Sequence, residues 1–189
     1  DVIRSFPKLR SKISKPKSAN DDWDYNVSAE IKRLVTTAKP NLAEKTKFEK
    51  KPKKASVKRN NELSAFVEDS IGPITDHKTR AHMISDLARY YFCADYAEKN
   101  NKSPRIADWP IGELAPNHKD IITQGNQLMA SSFVDRFKVQ LWDRPCSTIT
   151  SHISKDGHHY IHPDKTQCRS LSVREAARIQ TFPDSYQFC

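Results

Sequence analysis

Hydrophobic residues recur at intervals of three and four positions in two stretches of the chain, which is the spacing of one helical face. The longer stretch runs from Met83 to Tyr96 with good helix formers between its apolar positions, and it predicts one amphipathic helix over about 78–99. The shorter stretch predicts a helix over about 28–37 that ends before Pro40. We expect the longer helix to be the main core element, with its aromatic side chains inside that core.

The last third of the chain shows the alternation that is typical of β-structure. Apolar and polar residues alternate over 137–141, which predicts a strand. Two β-prone runs follow at 147–154 and 158–162, and the Lys-Asp-Gly sequence between them tolerates the positive φ of a tight turn. We therefore expect an antiparallel hairpin across these two runs.

A short helix with a signal at each end comes next. Ser172 and Glu175 have the spacing of a capping box, in which each side chain accepts the backbone N–H of the other residue. Pro183 ends this helix, which we expect over about 172–181. The whole pattern predicts a small α+β fold with one long helix, a short antiparallel sheet or hairpin, a C-terminal helix and much irregular chain.

Composition limits the classes of protein to which the chain can belong. Of 189 residues, 37% are hydrophobic and 29% are charged, so we expect one modest domain or a part of a larger one. No apolar run approaches the roughly 20 residues that cross a bilayer, and no basic and apolar leader indicates secretion. The four cysteines lie far apart without a C-x-x-C pair, as expected for reduced thiols in a cytoplasm.

The positive charge is concentrated in the first third of the chain. Residues 1–60 hold 17 Lys and Arg against 7 Asp and Glu, whereas the remainder is nearly neutral. The densest run, over 45–59, repels itself and buries little, so we expect a partly flexible basic arm that attracts phosphates of any sequence. The lysines assigned to this role are Lys50, Lys51, Lys53 and Lys54. A solvated linker is the open alternative.

Short polar side chains crowd the predicted hairpin. A two-stranded ribbon with hydroxyl, imidazole and ammonium groups can bind base edges and phosphates in a major groove. The candidates for DNA contact are Arg144, Thr148, Thr150, Ser151, His152, Lys155, Asp156, His158 and Arg169. A polar hairpin that faces only solvent is the alternative.

A zinc site and a cysteine nucleophile are weaker hypotheses for the same region. Four histidines lie near Cys146, but no C-x-x-C or H-x-x-x-H pair accompanies a second pair of ligands. No serine or cysteine lies in a nucleophile-elbow motif. We therefore assign no metal ligand and no catalytic residue, and we keep a zinc-stapled nucleic-acid binder as one alternative.

The segment from Arg169 to Asp184 reads RSLSVREAARIQTFPD. It closely resembles the ninth motif of bacterial DNA (cytosine-5) methyltransferases, R-x-L-[TS]-x-R-E-x-A-R-[IL]-Q-x-F-P-D. Just upstream, the segment from Asp143 to His158 is similar to the part of that family's target recognition domain written P-x-x-T-I-T. The likeness is strong over about 135–188, softer over about 62–134 and weak before that.

Several motifs of this family do not occur in the sequence. They are the F-x-G-x-G loop that helps to hold S-adenosylmethionine, the P-C-Q loop with the cysteine nucleophile, the E-N-V glutamate, the Q-x-R-x-R motif and the G-N-[AS]-V motif. Cys146 follows a proline but precedes no glutamine, and it lies in the recognition region. The resemblance therefore implies a C-terminal fragment that binds no cofactor and is inactive alone.

The resemblance also implies what the parent enzyme does. It would transfer a methyl group from S-adenosylmethionine to carbon 5 of cytosine in duplex DNA, in the cytoplasm and nucleoid of a bacterium and within a restriction-modification system. Thr150 matches the recognition-loop threonine that lies against the DNA. Arg174, Glu175 and Arg178 match the ninth motif, which is implied to organise the recognition domain against the catalytic domain of the same polypeptide.

We expect three segments. They are a basic arm over 1–60, a target recognition domain over 61–171, and the motif-nine helix with the start of the return to the catalytic domain, cut short, over 172–189. The expected partners are double-stranded DNA and the catalytic domain, with no membrane. The alternative from another class is a stand-alone DNA-binding module with no role in methylation.

Overall fold

The computed structural model describes residues 2–14, 23–38, 62–69, 74–131, 136–155 and 157–188. In chain order the helices and strands are β1 (Lys12–Ile13), α1 (Trp23–Ala38), α2 (Glu62–Val67), β2 (Ala81–His82), α3 (Ile84–Asn100), β3 (Ile121–Gln124), β4 (Gln127–Ala130) and α4 (Val173–Ile179). The predicted α+β class is confirmed. No helix within the described ranges has both the length and the apolar character that crossing a membrane requires.

Helix α3 is the centre of the main core. Leu87, Tyr90 and Cys93 are fully buried on it, as the helical spacing predicts. Helix α1 packs against α3 and adds Ile31 to the same hydrophobic cluster, and Trp109 closes the cluster from an irregular segment. The core thus joins the first third of the chain to the middle third.

The two ends of α3 differ in how well the sequence predicts them. The helix begins at Ile84, six residues after the predicted start at 78, because Ala81–His82 is taken into a parallel pair with Lys12–Ile13. It ends as predicted near residue 99, where Asn101 adopts a left-handed conformation with a φ of 51°.

An antiparallel sheet lies earlier in the chain than the sequence pattern predicts. Strands β3 and β4 pair from Ile121 opposite Ala130 to Gln124 opposite Gln127. Strand β4 buries Leu128, while β3 stays largely exposed. The alternation of apolar and polar residues is weak here because little of this sheet faces the core.

The hairpin predicted across 147–154 and 158–162 is wrong. The first run ends in a 3₁₀ turn over Ser151–Ser154. The second run pairs with other partners, since the N–H of Ile161 donates to the carbonyl of Lys138 at 3.0 Å. On its other side, the N–H of Leu171 donates to the carbonyl of Tyr160 at 2.9 Å. The backbone groups of Tyr160 and Ile161 are therefore already bonded to other segments, and they do not pair with the first run.

The strand predicted over 137–141 is also wrong in extent. Val139 forms an isolated parallel bridge with Ile161, which forms a second, antiparallel bridge with Ser170. A lone bridge does not make a regular strand, although Phe137 and Val139 are buried as the alternation predicts.

The capping box of α4 is confirmed. The side chain of Ser172 accepts the N–H of Glu175 at 3.1 Å, and the Glu175 carboxylate accepts the N–H of Ser172 at 2.8 Å. The helix stops at Ile179, slightly before the predicted end, and Thr181 takes a left-handed φ of 64°.

The described part of the first 60 residues packs onto the rest of the chain, which differs from the predicted arm. Ile3 and Phe6 are buried in a second hydrophobic cluster with Tyr160 and Leu171. The basic run over 45–59, with its four candidate lysines, lies outside the described residues.

Gly157→Ala is expected to destabilise the chain more than Gly125→Ala. Both glycines have a positive φ, of 72° and 59°, so alanine introduces roughly 1–2 kcal/mol of backbone strain at either site. At Gly157 a Cβ would also lie 2.7 Å from the Cβ of Ser170, whereas the space at Gly125 is open. Urea denaturation of both variants measures the difference. Equal losses in the free energy of unfolding would show that the approach to Ser170 is unimportant.

Candidate nucleic-acid interface

An irregular loop over 143–155, called the recognition loop below, carries most of the predicted DNA contacts at the surface. Ile149 and Ile153 anchor it, because both are partly buried against the cluster that contains Phe6 and Leu171. The exposed residues of the loop include Arg144, Thr148, Thr150, Ser151, Ser154 and Lys155. The loop therefore presents hydroxyls and cations above an apolar base.

The phenol of Tyr160 holds the middle of the recognition loop. Its hydroxyl accepts the N–H of Thr150 at 2.9 Å and donates to the carbonyl of Thr148 at 2.9 Å. The Thr150 hydroxyl lies 3.0 Å from the same oxygen. The backbone of the exposed loop is thus fixed by a buried side chain, which the sequence reading missed because Tyr160 lies in an apolar run.

Gln140 holds the start of the loop in a similar way. Its Oε1 accepts the N–H of Ser147 and the thiol of Cys146, each at 3.1 Å, and its Nε2 donates to the carbonyl of His159 at 2.8 Å. The alternation pattern places Gln140 on the solvent face of a strand and gives no sign of this role.

Cys146 has the properties of a structural cysteine. Burial raises the pKa of its thiol to about 11, so the thiol is protonated at neutral pH. Because the thiolate is the reactive form, Cys146 is not prepared to act as a nucleophile.

Two predicted DNA contacts, His158 and Arg169, are buried, which is a correction to the candidate set. His158 is 8% exposed, and its Nδ1 lies 2.7 Å from the hydroxyl of Tyr90. Arg169 is 1% exposed. Both residues lie in the segments that pair around Ile161, so their side chains belong to the interior. Asp156 and the side chain of His152 lie outside the described residues.

Arg169 and Glu175 form a buried ion pair with two hydrogen bonds, of 2.6 and 2.7 Å. Two further donors of Arg169 are used as well, since Nε donates to Gln167 at 2.9 Å and Nη1 donates to the carbonyl of Ser170 at 3.0 Å. Burial alone would raise the pKa of Glu175, but the hydrogen bonds and charge of Arg169 lower it to about 2. Removing one member of such a pair leaves a buried charge without a partner, which lowers the free energy of unfolding by about 3–5 kcal/mol.

His162 lies beside this pair. Its Nδ1 accepts the N–H of Asp164 at 3.0 Å, so Nε2 carries the proton of the neutral ring and faces Glu175 at 3.5 Å. Burial, together with the charge of Arg169, lowers the pKa of His162 to about 3.

His77 connects the cap of α4 to the N-terminal segment. Its Nε2 lies 2.8 Å from the carbonyl of Pro7, which can only accept, so Nε2 donates. Nδ1 then accepts the hydroxyl proton of Ser172 at 2.9 Å. The Ser172 oxygen therefore both caps the helix and bonds to His77, and burial lowers the pKa of this histidine.

Arg174 fixes the segment that follows α4. Its fully buried guanidinium donates to the carbonyl and hydroxyl oxygens of Thr75, at 3.1 and 2.8 Å. It also donates to the carbonyls of Pro183 and Tyr186, at 3.2 and 2.8 Å.

Arg178 connects the same end of the chain to the N-terminal segment. Its Nε donates to Asp184 at 2.8 Å, and its Nη1 donates to the carbonyl of Val2 and the hydroxyl of Ser5, at 3.0 and 2.7 Å. The guanidinium lies 3.6 Å from the ring centroid of Phe6. The motif-nine arginines thus fix segments that are distant in sequence.

Comparison with protein families supports the resemblance. The family model described as C-5 cytosine-specific DNA methylase matches residues 18–189, which include the recognition loop and the buried arginines. The chain belongs to this family.

Several type II methyltransferases are similar to the chain over part of its length. M.Bpa9945I, a type II methyltransferase of Bacillus paralicheniformis, is 44% identical over 64% of this chain and 24% of that protein. M.AgeI of Thalassovita gelatinovora is 39% identical over 32% of this chain and 14% of that protein. M.Sau96I of Staphylococcus aureus is 49% identical over 25% and 10%. The chain thus spans at most about a quarter of these relatives, and no solved structure matches it.

Among the described residues, the walls of the cavity beside the buried ion pair do not fit S-adenosylmethionine, the cofactor that the family implies. This cavity has a volume of about 650 Å³. Four of its charged groups are already paired, since Lys8 bonds to Asp164 at 2.9 Å and Lys165 bonds to Glu98 at 2.7 Å. Its walls contain no glycine-rich loop, and within the part of the chain that the structure describes, no cluster of three side chains suits a metal ion.

Acidification is expected to lower the free energy of unfolding of the chain. The folded state lowers the pKa of His162 from 6.5 to about 3 and that of Glu175 from 4.5 to about 2. The unfolded chain therefore binds more protons as the pH falls below 6.5, and each titrating group contributes up to about 1.4 kcal/mol per pH unit. Urea titrations between pH 7.5 and 4.5 measure the slope of the free energy of unfolding against pH.

The matched variant for this prediction is His162→Asn, which keeps an acceptor for the N–H of Asp164. The slope of its free energy of unfolding against pH, between pH 6.5 and 4.5, is expected to be smaller than that of the unsubstituted chain. The slope should not be zero, because His77 also titrates. An identical slope in the two proteins would contradict the assignment to His162.

Proposed function

We propose that this chain is the target recognition part of a DNA (cytosine-5) methyltransferase. The whole enzyme would transfer a methyl group from S-adenosylmethionine to carbon 5 of cytosine in duplex DNA. The observation that carries the proposal is the recognition loop, a line of exposed hydroxyl and cationic groups fixed to a rigid base in a chain of this family. Such groups suit the acceptors and donors of a DNA groove.

The hydroxyl groups and the charged groups of the loop would contact different parts of the DNA. Thr148, Thr150 and Ser151 offer hydroxyls, which can bond to base edges at short range. Arg144 and Lys155 offer positive charge, which binds phosphates and fixes the register of the protein on the duplex. His152 lies within the sequence of the loop and Asp156 directly follows it, so both stay in the proposed contact set. The lysines of the basic run would add sequence-independent attraction.

Arg174, Glu175 and Arg178 would organise the protein rather than contact DNA. Each is buried and each bonds to groups from other segments, which supports a structural role. We propose that the surface they shape packs against the catalytic domain of the same polypeptide. In that arrangement the recognition loop is held at a constant distance from the reacting cytosine.

The chain alone would be catalytically inactive, because its sequence contains neither the P-C-Q loop nor the F-x-G-x-G loop of the family. Its setting would be a bacterial restriction-modification system, and its partners would be the DNA of the nucleoid and the catalytic domain. The type II names of its relatives support this setting.

Lys155→Ala in the full-length enzyme is expected to weaken binding to duplex DNA of any sequence. The loss of one phosphate contact should reduce the slope of log affinity against log salt concentration by about 1. Fluorescence anisotropy at several salt concentrations measures the slope. Lys119→Ala removes an exposed lysine outside the loop and serves as the control. A similar loss in both variants would show that Lys155 has no particular role.

The isolated chain is expected to transfer no methyl group. Incubation with duplex DNA and labelled S-adenosylmethionine should give no incorporation above a control without protein, while the full-length enzyme labels the same DNA. Incorporation by the isolated chain would show that it carries its own catalytic site.

A further inference from the structure

We infer that the outward face of the β3–β4 hairpin enters the major groove of duplex DNA and reads A·T base pairs. The inference rests on the proposed function, since it assumes that this chain binds DNA. The hairpin lies outside the recognition loop, so it would be a second element that contacts bases.

The strand register places four exposed side chains on one face of the hairpin. Residues directly opposite each other in an antiparallel pair project to the same side, as do residues two positions apart on one strand. Ile122 lies opposite Met129, and Gln124 lies opposite Gln127. All four residues are exposed, the apolar ones by 59% and 48%. The outward face therefore consists of one amide pair and one apolar pair.

The other face of the hairpin is fixed to the core. Leu128 is 3% exposed and belongs to the main hydrophobic cluster, against which Ile121 also packs. The N–H of Ile121 donates to the carbonyl of His118 at 3.0 Å. Because a shift of one residue in register would exchange the two faces, the buried side chain of Leu128 determines which residues face outward.

The tip of the hairpin extends into open space. Gly125 has a positive φ of 59° at the turn, and a Cβ added there would meet no described heavy atom within 4 Å. Two paired strands lie about 4.8 Å apart. The major groove is about 12 Å wide and admits a two-stranded ribbon of this kind. The size and the exposure of the hairpin therefore suit the groove.

The chemistry of the outward face matches A·T pairs. A glutamine amide carries a donor and an acceptor, so it forms two hydrogen bonds with N6 and N7 of adenine. Apolar side chains contact the thymine methyl group, which G·C pairs lack. The amide pair and the apolar pair are two residues apart, about 6.8 Å along the strands, which is about two base-pair steps. One face can thus contact more than one base pair.

The charge of the hairpin is compatible with close approach to DNA. Residues 121–130 contain no Asp or Glu, so no carboxylate on the hairpin repels the phosphates. They contain no Lys or Arg either, so the hairpin would add base preference rather than general affinity. Phosphate contacts from Arg144 and Lys155 of the recognition loop would position the protein. Contact with a thymine methyl group would remove the apolar pair from water.

The double variant Gln124→Ala/Gln127→Ala in the full-length methyltransferase tests the amide pair. The enzyme methylates a library of duplexes in which each position of its recognition sequence is randomised in turn, and bisulfite sequencing reports the methylated members. The unsubstituted enzyme should prefer A·T at one position or more. The double variant should lose that preference by about five- to a hundredfold, which is the range of an amide contact with two hydrogen bonds.

A recognition sequence without any preference for A·T would overturn the inference. An unchanged preference in the double variant would overturn it as well.

The double variant Ile122→Ala/Met129→Ala tests the apolar pair with a base analogue. Uracil in place of thymine removes only the C5-methyl group from the duplex. Uracil should lower the rate of labelled methyl incorporation by the unsubstituted enzyme about fourfold, which is the effect of one buried methyl group. The variant should methylate both duplexes at the same rate. An equal effect of uracil on the two enzymes would contradict the contact with thymine.

Thr123→Ala is the matched control. Thr123 is exposed on the same strand, but its register places it on the face opposite Gln124. The variant should keep every base preference. Melting temperatures are measured for all variants, and methylation is assayed below them. An equal loss of preference in Thr123→Ala would show that the stability of the hairpin matters rather than its outward face, and the inference would fail.

Lys155→Ala separates this inference from the proposed function. If it weakens DNA binding while the hairpin variants keep every base preference, the inference about the hairpin fails and the recognition loop still binds DNA. If the hairpin variants reduce methylation of all duplexes equally, the outward face contacts protein rather than bases, and the inference also fails. If neither Lys155→Ala nor the hairpin variants change DNA binding or base preference, the proposed function fails as well.

Discussion

The buried ion pair between Arg169 and Glu175 is the interaction on which the rest of the structure depends. Two charges in the interior are tolerated only when their hydrogen-bonding capacity is used, and here the carboxylate also completes the cap of Ser172. Gln167 accepts from Arg169 and from the N–H of Leu9, both at 2.9 Å. The start of α4, the segment before it and the N-terminal segment therefore meet at one charge pair.

The structure keeps the motif-nine side chains apart from the side chains that are proposed to contact DNA. The former lie in the interior, and the latter lie on a loop with a modest apolar base of Ile149 and Ile153. The buried side chains of Tyr160 and Gln140 form hydrogen bonds with the loop backbone, and these bonds fix its conformation. Since the backbone groups are common to all residues, the exposed side chains can vary without loss of the loop conformation.

Local signals predict α1, α3 and α4 but miss α2, and they predict the β-structure of this chain poorly. The core face of α3 and the capping box of Ser172 depend on spacing within one segment, so the sequence displays them directly. The hairpin prediction failed because Ile161 pairs with Val139 and Ser170, and partners of this kind are chosen by the tertiary fold. For the same reason the sequence does not show that His158 and Arg169 are buried, since both lie in segments whose backbone partners are chosen by the tertiary fold. The polar residues of the recognition loop need no distant partner to stay at the surface, so the sequence identifies them.

The contact of Arg178 with both Val2 and Asp184 has a consequence for local unfolding. One guanidinium holds the N-terminal segment and the segment after α4, so neither segment can leave the interior without breaking bonds that this side chain makes. The two segments are therefore coupled, although 176 positions separate Val2 from Arg178.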